Sequence, residues 1–140
     1  MSLDKLIDFY QDLTVAQVQR FADFYTEDAY FKDPFNEVRG VTAIQRIFSH
    51  MFSQVGDPRF VVTEQVVDAQ GAMLIWEFNF RIRLLGREQT QVMRGVSHLK
   101  FASDGRVNYH RDYWDTGEEL YMKLPAIGSV MRGLRRLMAA

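Results

Sequence analysis

The chain has 140 residues, 47% hydrophobic, 14% aromatic and 25% charged, a composition that excludes a disordered chain. Its length fits one domain over residues 1–140, enough to bury roughly two-thirds of the unfolded surface. Seventeen Lys+Arg against eighteen Asp+Glu give a net charge of -1, without the basic excess of a nucleic-acid binder, and the absence of Cys excludes disulfides, thiolate zinc sites and a Cys nucleophile.

The first residues, Met1 to Asp8, carry acids where a secretion signal needs basic and then apolar residues. No uncharged run approaches the length of a membrane span. A Cys-free chain suits a reducing compartment, so the expected location is cytoplasmic.

Leu3, Leu6, Ile7, Tyr10 and Leu13 recur at helical spacing and predict a first helix. Thr14 and Gln17 form a capping-box pair that starts a second, with the stripe Val15, Val18, Phe21, Ala22 and Tyr25. A non-helical stretch follows from Thr26 to Gly40, broken by Asp33-Pro34, because Pro34 pushes Asp33 out of the helical region. A third helix runs from about Val41 to Val55 and stops at Gly56-Asp57-Pro58.

The period then changes. Trp76, Phe78, Phe80, Ile82 and Leu84 alternate with Glu77, Asn79, Arg81 and Arg83. Four strands are predicted at about 59–68, 72–85, 88–102 and 106–115, joined by turns at Ala69-Gln70-Gly71, Leu85-Gly86-Arg87 and Ser103-Asp104-Gly105. The expected class is α+β: a curved antiparallel sheet around N-terminal helices, with a C-terminal helix. That last helix has Ile127, Val130, Met131, Leu134 and Leu137 on one side, and Arg132, Arg135 and Arg136 on another. Leu120 to Ala140 holds no acid, and Lys123 adds a further base. The helix is expected to cap the open end of the cone or to pack on a partner. Attachment to a membrane surface is the weaker alternative, because so few charges hold lipid poorly.

Strand parity selects the polar residues that face the core. In the third strand Ser97 shares a face with Met93, Gly95, Leu99 and Phe101, while Arg94, His98 and Lys100 face away. In the fourth, Asn108, His110, Asp112 and Trp114 share one face and Val107, Tyr109, Arg111, Tyr113 and Asp115 the other. Both faces are mixed, and hydrophobicity alone does not choose between them.

The order helix, helix, Asp-Pro, helix, antiparallel meander resembles the nuclear transport factor two-like superfamily, with its SnoaL-like and ketosteroid-isomerase-like cone folds. The segment Thr26 to Pro34, followed by Arg39-Gly40-Val41-Thr42-Ala43-Ile44, is similar to the corresponding segment of the isomerases. The resemblance implies that Asp33 matches their catalytic base and Tyr10 their oxyanion-hole tyrosine. It places Ser97 where they carry a protonated aspartate, and Ser97 cannot reproduce the short hydrogen bond of a buried acid. It also turns the Asn108, His110, Asp112 and Trp114 face into the cavity, and implies a homodimer.

Asp33 at the mouth of an apolar cavity is expected to lose hydration and become a usable proton acceptor; the plainer alternative is a turn-starting Asp-Pro. His110 and Asp112, roughly 7 Å apart along one strand face, form a candidate acid/base pair; the alternative is Asp112 paired with an arginine. Trp76, Trp114, Phe78 and Phe80 are candidate walls for an apolar ligand, the Phe residues equally suited to plain core packing. Asp33, His110 and Asp112 offer metal-ligand types, but no second imidazole is at hand, so no metal is expected. No phosphate loop and no Gly-x-Ser-x-Gly elbow occurs.

The expected function is binding of a small apolar molecule, with cofactor-free acid/base catalysis of the isomerase, dehydratase or cyclase type on a carbonyl compound. Asp33 would move the proton, Tyr10 and Ser97 would steady the oxygen, and His110 with Asp112 would assist. The alternative is a non-catalytic ligand-binding or dimerisation module of the same fold.

Overall fold

The computed structural model describes residues 2–119 and 125–139. Helix α1 (Leu3–Gln11) is capped by Ser2, whose hydroxyl accepts the Lys5 amide, and it buries Leu6, Phe9 and Tyr10. The second predicted helix is shorter than its stripe suggests. A 3-10 turn (Val15–Arg20) and a single helical turn α2 (Phe21–Phe24) give way to strand β1 (Tyr25–Lys32). Thr14 stands at the expected N-cap, but its side chain makes no capping bond; only its carbonyl accepts the Gln17 amide, at 3.0 Å.

The stretch expected to be irregular therefore holds two strands. β1 pairs antiparallel with β2 (Glu37–Arg39), and Asp33-Pro34 is the turn between them. Tertiary pairing overrides the local pattern here. Tyr30 to Lys32 lie parallel to Tyr109 to Arg111, which seats Ala29 and Phe31 in the core. Helix α3 (Val41–Gln54) follows as expected and buries Ile44, Phe48 and Phe52 on one face.

The meander comprises β3 (Gly56–Asp68), β4 (Gly71–Leu84), β5 (Arg87–Phe101) and β6 (Val107–Tyr113). The full sheet runs β2-β1-β6-β5-β4-β3, an open curved sheet that is antiparallel except where β1 meets β6. The fold class is the α+β cone expected, widened by two strands. The β4–β5 turn puts both Leu85 (φ 53) and Gly86 (φ 75) in the left-handed region, as a two-residue hairpin requires.

Between the helices and the sheet lies an aromatic core. Phe60 stacks on Phe78 at 4.5 Å and Phe78 on Phe80 at 5.1 Å, while Phe9 stacks on Phe24 at 4.4 Å. Phe9, Phe24, Phe78 and Phe80 are buried, and each such ring contributes about 2–3 kcal/mol of transfer free energy.

One parity expectation fails at the start of β6. Lys100 pairs with Tyr109 and Phe101 with Val107, so Asn108 is an extra residue in a bulge. Val107 turns fully inward and Asn108 is exposed. From Tyr109 onward the expected alternation resumes.

A four-residue helix α4 (Thr116–Glu119) leaves the sheet, and helix α5 (Pro125–Met138) carries the basic tail. Val130, Leu134 and Leu137 are exposed rather than seated on the cone. Lys123 and the side chains of Leu84, Ile127 and Met131 lie outside what the structure describes. Among the described residues no helix is long and apolar enough to cross a membrane.

Candidate functional site: a buried polar chain at the base of an aromatic cavity

A cavity of about 560 Å³ opens between α3 and the sheet. Its walls include the rings of Phe48, Phe60, Trp76, Phe78, Phe80 and Trp114. The expected wall residues Trp76, Phe78, Phe80 and Trp114 are thus brought together, and Asp33 and Asp112 line the same cavity. A small void of about 20 Å³ between Trp76, Ser97, His110, Asp112 and Tyr10 adjoins them.

Six side chains from five elements form one continuous hydrogen-bonded chain. The Trp76 indole N–H on β4 donates to Ser97 Oγ at 2.8 Å, and Ser97 on β5 donates to Asp112 Oδ1 at 2.5 Å. His110 Nε2 meets the same Asp112 oxygen at 2.6 Å. His110 Nδ1 lies 2.6 Å from the Tyr25 hydroxyl, which lies 2.5 Å from the Tyr10 hydroxyl on α1.

Local sequence explains each placement. Ser97 is the register partner of Asp112, and His110 stands two residues away on the same face. Trp76 pairs with Gly95, where a Cβ would lie 2.4 Å from the indole. Only glycine lets that ring cross β5 to reach Ser97.

Protonation follows from the bonds. Ionised Asp112 only accepts, so His110 donates from Nε2 and Ser97 from its hydroxyl. A neutral His110 then accepts at Nδ1 from Tyr25, which accepts from Tyr10. Every donor in that arrangement has an acceptor. Reversal of the two hydroxyls would leave the Tyr10 O–H without an acceptor, so the bonds fix the direction of the chain. Burial pushes both tyrosines above their ordinary pKa of 10.0; the nearby Asp112 charge adds to this, although the Tyr25 hydrogen bond partly offsets it for Tyr10. Both are held neutral.

The expected roles therefore redistribute. Asp33 is a turn residue: Oδ1 accepts the amides of Phe35 at 2.8 Å and Asn36 at 2.7 Å, and the Asn36 side chain reaches both oxygens. It still borders the cavity. Tyr10 and Ser97 line the small adjoining void rather than the larger cavity, and their hydroxyls are committed to Tyr25 and Asp112. Asp112 pairs with His110 rather than with an arginine. Asn108 does not reach the site. Both nitrogens of His110 are occupied, leaving no lone pair for a metal.

Tyr25 is the member that sequence reasoning misses. The apolar stripe places it on a helix, whereas it begins β1 and bridges α1 to β6. The aromatic, β-branched pair Tyr25-Thr26 is the available signal for a strand start.

The six-stranded cone has the architecture of the nuclear transport factor two-like superfamily. Residues 6–110 match the SnoaL-like domain family, and the chain belongs to that family. Several solved structures share the fold. TsrD from Streptomyces laurentii is similar at 17% identity over 89% of this chain and 92% of its own, with a TM-score of 0.68. A protein assigned as a SnoaL-like polyketide cyclase from Shewanella putrefaciens CN-32 is similar at 20% identity over 88% and 99%, TM-score 0.67. Another so assigned, from Jannaschia sp. CCS1, gives 16% identity over 81% and 84%, TM-score 0.67. At these identities the likeness is one of fold. No curated protein matches the chain.

Proposed function

We propose that the protein binds a small apolar carbonyl compound in the aromatic cavity and moves a proton on it, as an isomerase, dehydratase or cyclase does. The observation that carries this reading is the Asp112 carboxylate. One oxygen is fixed by Ser97 and His110, the group borders the cavity, and it is only 13% exposed. Among the described residues Oδ2 has no hydrogen-bond partner, so it is available to a ligand.

Asp112 rather than Asp33 then takes the proton from a carbon beside the carbonyl. Ser97 and His110 hold Oδ1 in place while Oδ2 carries the proton, which then returns to another atom of the same compound. Enforced orientation and a dry aromatic wall add to the effect.

Deuterium exchange into trans-decalone in D2O, followed by proton NMR, tests the reading. The protein should accelerate exchange at the carbons flanking the ketone. Asp112→Asn should lower that acceleration by about 100-fold or more while Asp33→Asn changes it little. Exchange unaffected by Asp112→Asn would overturn it. One observation favours the non-catalytic alternative: Tyr10, Tyr25, Ser97 and Trp76 spend their donors on Tyr25, His110, Asp112 and Ser97 in turn, leaving none for a developing oxyanion. In that case the cavity binds and no exchange is seen.

A further inference from the structure

Removing a proton beside a carbonyl places negative charge on the carbonyl oxygen, and a fixed hydrogen-bond donor aimed there lowers the barrier. Most donors around the cavity are already in use. Trp76 donates to Ser97 at 2.8 Å, the Asn36 amide to Asp33 at 3.1 Å and the Gln91 amide to Gln89 at 3.2 Å. His50 and Gln54 line the cavity from α3, but both are exposed, and water competes for their hydrogen bonds. Lys32 and Arg111 line an adjoining depression rather than the cavity. Lys32 pairs with Glu37 at 3.7 Å, and Arg111 lies over the Tyr113 ring at 4.7 Å.

Trp114 is different. It directly follows β6, two residues after Asp112, and both residues border the cavity and the depression alike. Its ring is partly buried against the core and meets Phe35 edge-on at 5.5 Å. Among the described residues its indole N–H has no hydrogen-bond partner. Side chains two residues apart along an extended chain stand roughly 7 Å apart. A carbonyl group and its flanking carbon fit that gap. The carbon then makes a contact of about 3 Å with the carboxylate, and the oxygen a hydrogen bond of about 2.9 Å with the indole.

We infer that Trp114 is a catalytic residue, its indole N–H binding the ligand's carbonyl oxygen while Asp112 Oδ2 takes the proton from the adjacent carbon. This rests on the cavity reaction proposed above and supplies the donor that the buried chain withholds. The C–H electron pair becomes the carbon–carbon double bond of an enolate, and the carbonyl π pair moves onto the oxygen that the indole meets. Reprotonation at carbon reverses both shifts. The ligand is thereby narrowed to a ketone at one end of an apolar body, the body lying along Phe60, Phe78 and Phe80.

The chain has two tryptophans, and both border the cavity. Isotopic labelling of the indole nitrogens of the full chain therefore gives two N–H signals in NMR, of which Trp114→Phe removes one and so assigns both. In the native chain trans-decalone should move the Trp114 signal downfield, whereas trans-decalin, the same body without the oxygen, should not. Trp114→Phe keeps a ring in the wall and removes the N–H. It should raise the carbonyl stretching frequency of bound trans-decalone and slow deuterium exchange by about 10- to 100-fold. A Trp114 signal that answers alike to both probes, or exchange unchanged in Trp114→Phe, would overturn the inference; exchange still dependent on Asp112 would leave the proposed function standing. A downfield shift with trans-decalone but no exchange in the native chain would overturn the catalytic role together with the proton chemistry and leave a ligand contact. No response to either probe would overturn both. The native signals decide the matter even if Trp114→Phe does not fold.

Discussion

Two carboxylates border the same cavity and are held in opposite ways. Asp33 is fixed by atoms two and three residues along the chain. Asp112 belongs to a network whose longest link, Tyr25 to His110, spans 85 residues. A locally held acid is replaceable by any side chain that caps the same turn. One held through β4, β5, β6, β1 and α1 is tied to the fold as a whole. Sequence motif points to the first; chemistry favours the second.

The most direct way to break this contrast is His110→Ala. It strands Asp112 and Tyr25 in the interior, and unfolding in urea should show a loss of about 3–5 kcal/mol. The tyrosines give a sharper handle. Their pKa values are raised in the folded state, so the folded protein keeps protons that the unfolded chain releases above pH 10.0. Their stabilisation is complete below that pH and declines as pH rises above it. The pair's share is about 2.7 kcal/mol per pH unit, and Tyr10→Phe should halve that slope in denaturation curves taken through the alkaline range.

Gly95→Ala should cost about 1–3 kcal/mol by driving the indole off β5. Loss of the Trp76–Ser97 bond should red-shift the fluorescence, while the Asp112–His110 contact remains. Smallest is the turn. Asp33→Ala should cost about 1 kcal/mol, and Asp33→Asn under about 0.5 kcal/mol, by the same urea measurement. A large loss in Asp33→Asn would erase the distinction between the two acids.

The uneven legibility of the sequence has the same origin. Alternation from Trp76 to Leu84 identifies β4, because one face of that strand is buried and the other is wet. The two-residue spacing of His110 and Asp112 places them on one face before any contact is known. Tyr25 escapes because Phe21, Ala22 and Tyr25 also fit a helical stripe, and only pairing with β6 resolves the ambiguity. Asn108 is misplaced because a bulge is set by how a turn closes and leaves no mark in the alternation around it. Asp33 draws attention as Asp-Pro, a pattern that serves turns as readily as chemistry.

The parallel seam between β1 and β6 has a consequence for biosynthesis. On the ribosome, Tyr10 and Tyr25 emerge early and wait for His110 and Asp112, so in a nascent chain that has not yet reached those residues the two phenols have only each other. Closure of that seam should be among the last steps of folding, and the ligand pocket takes shape only once the final strand has docked.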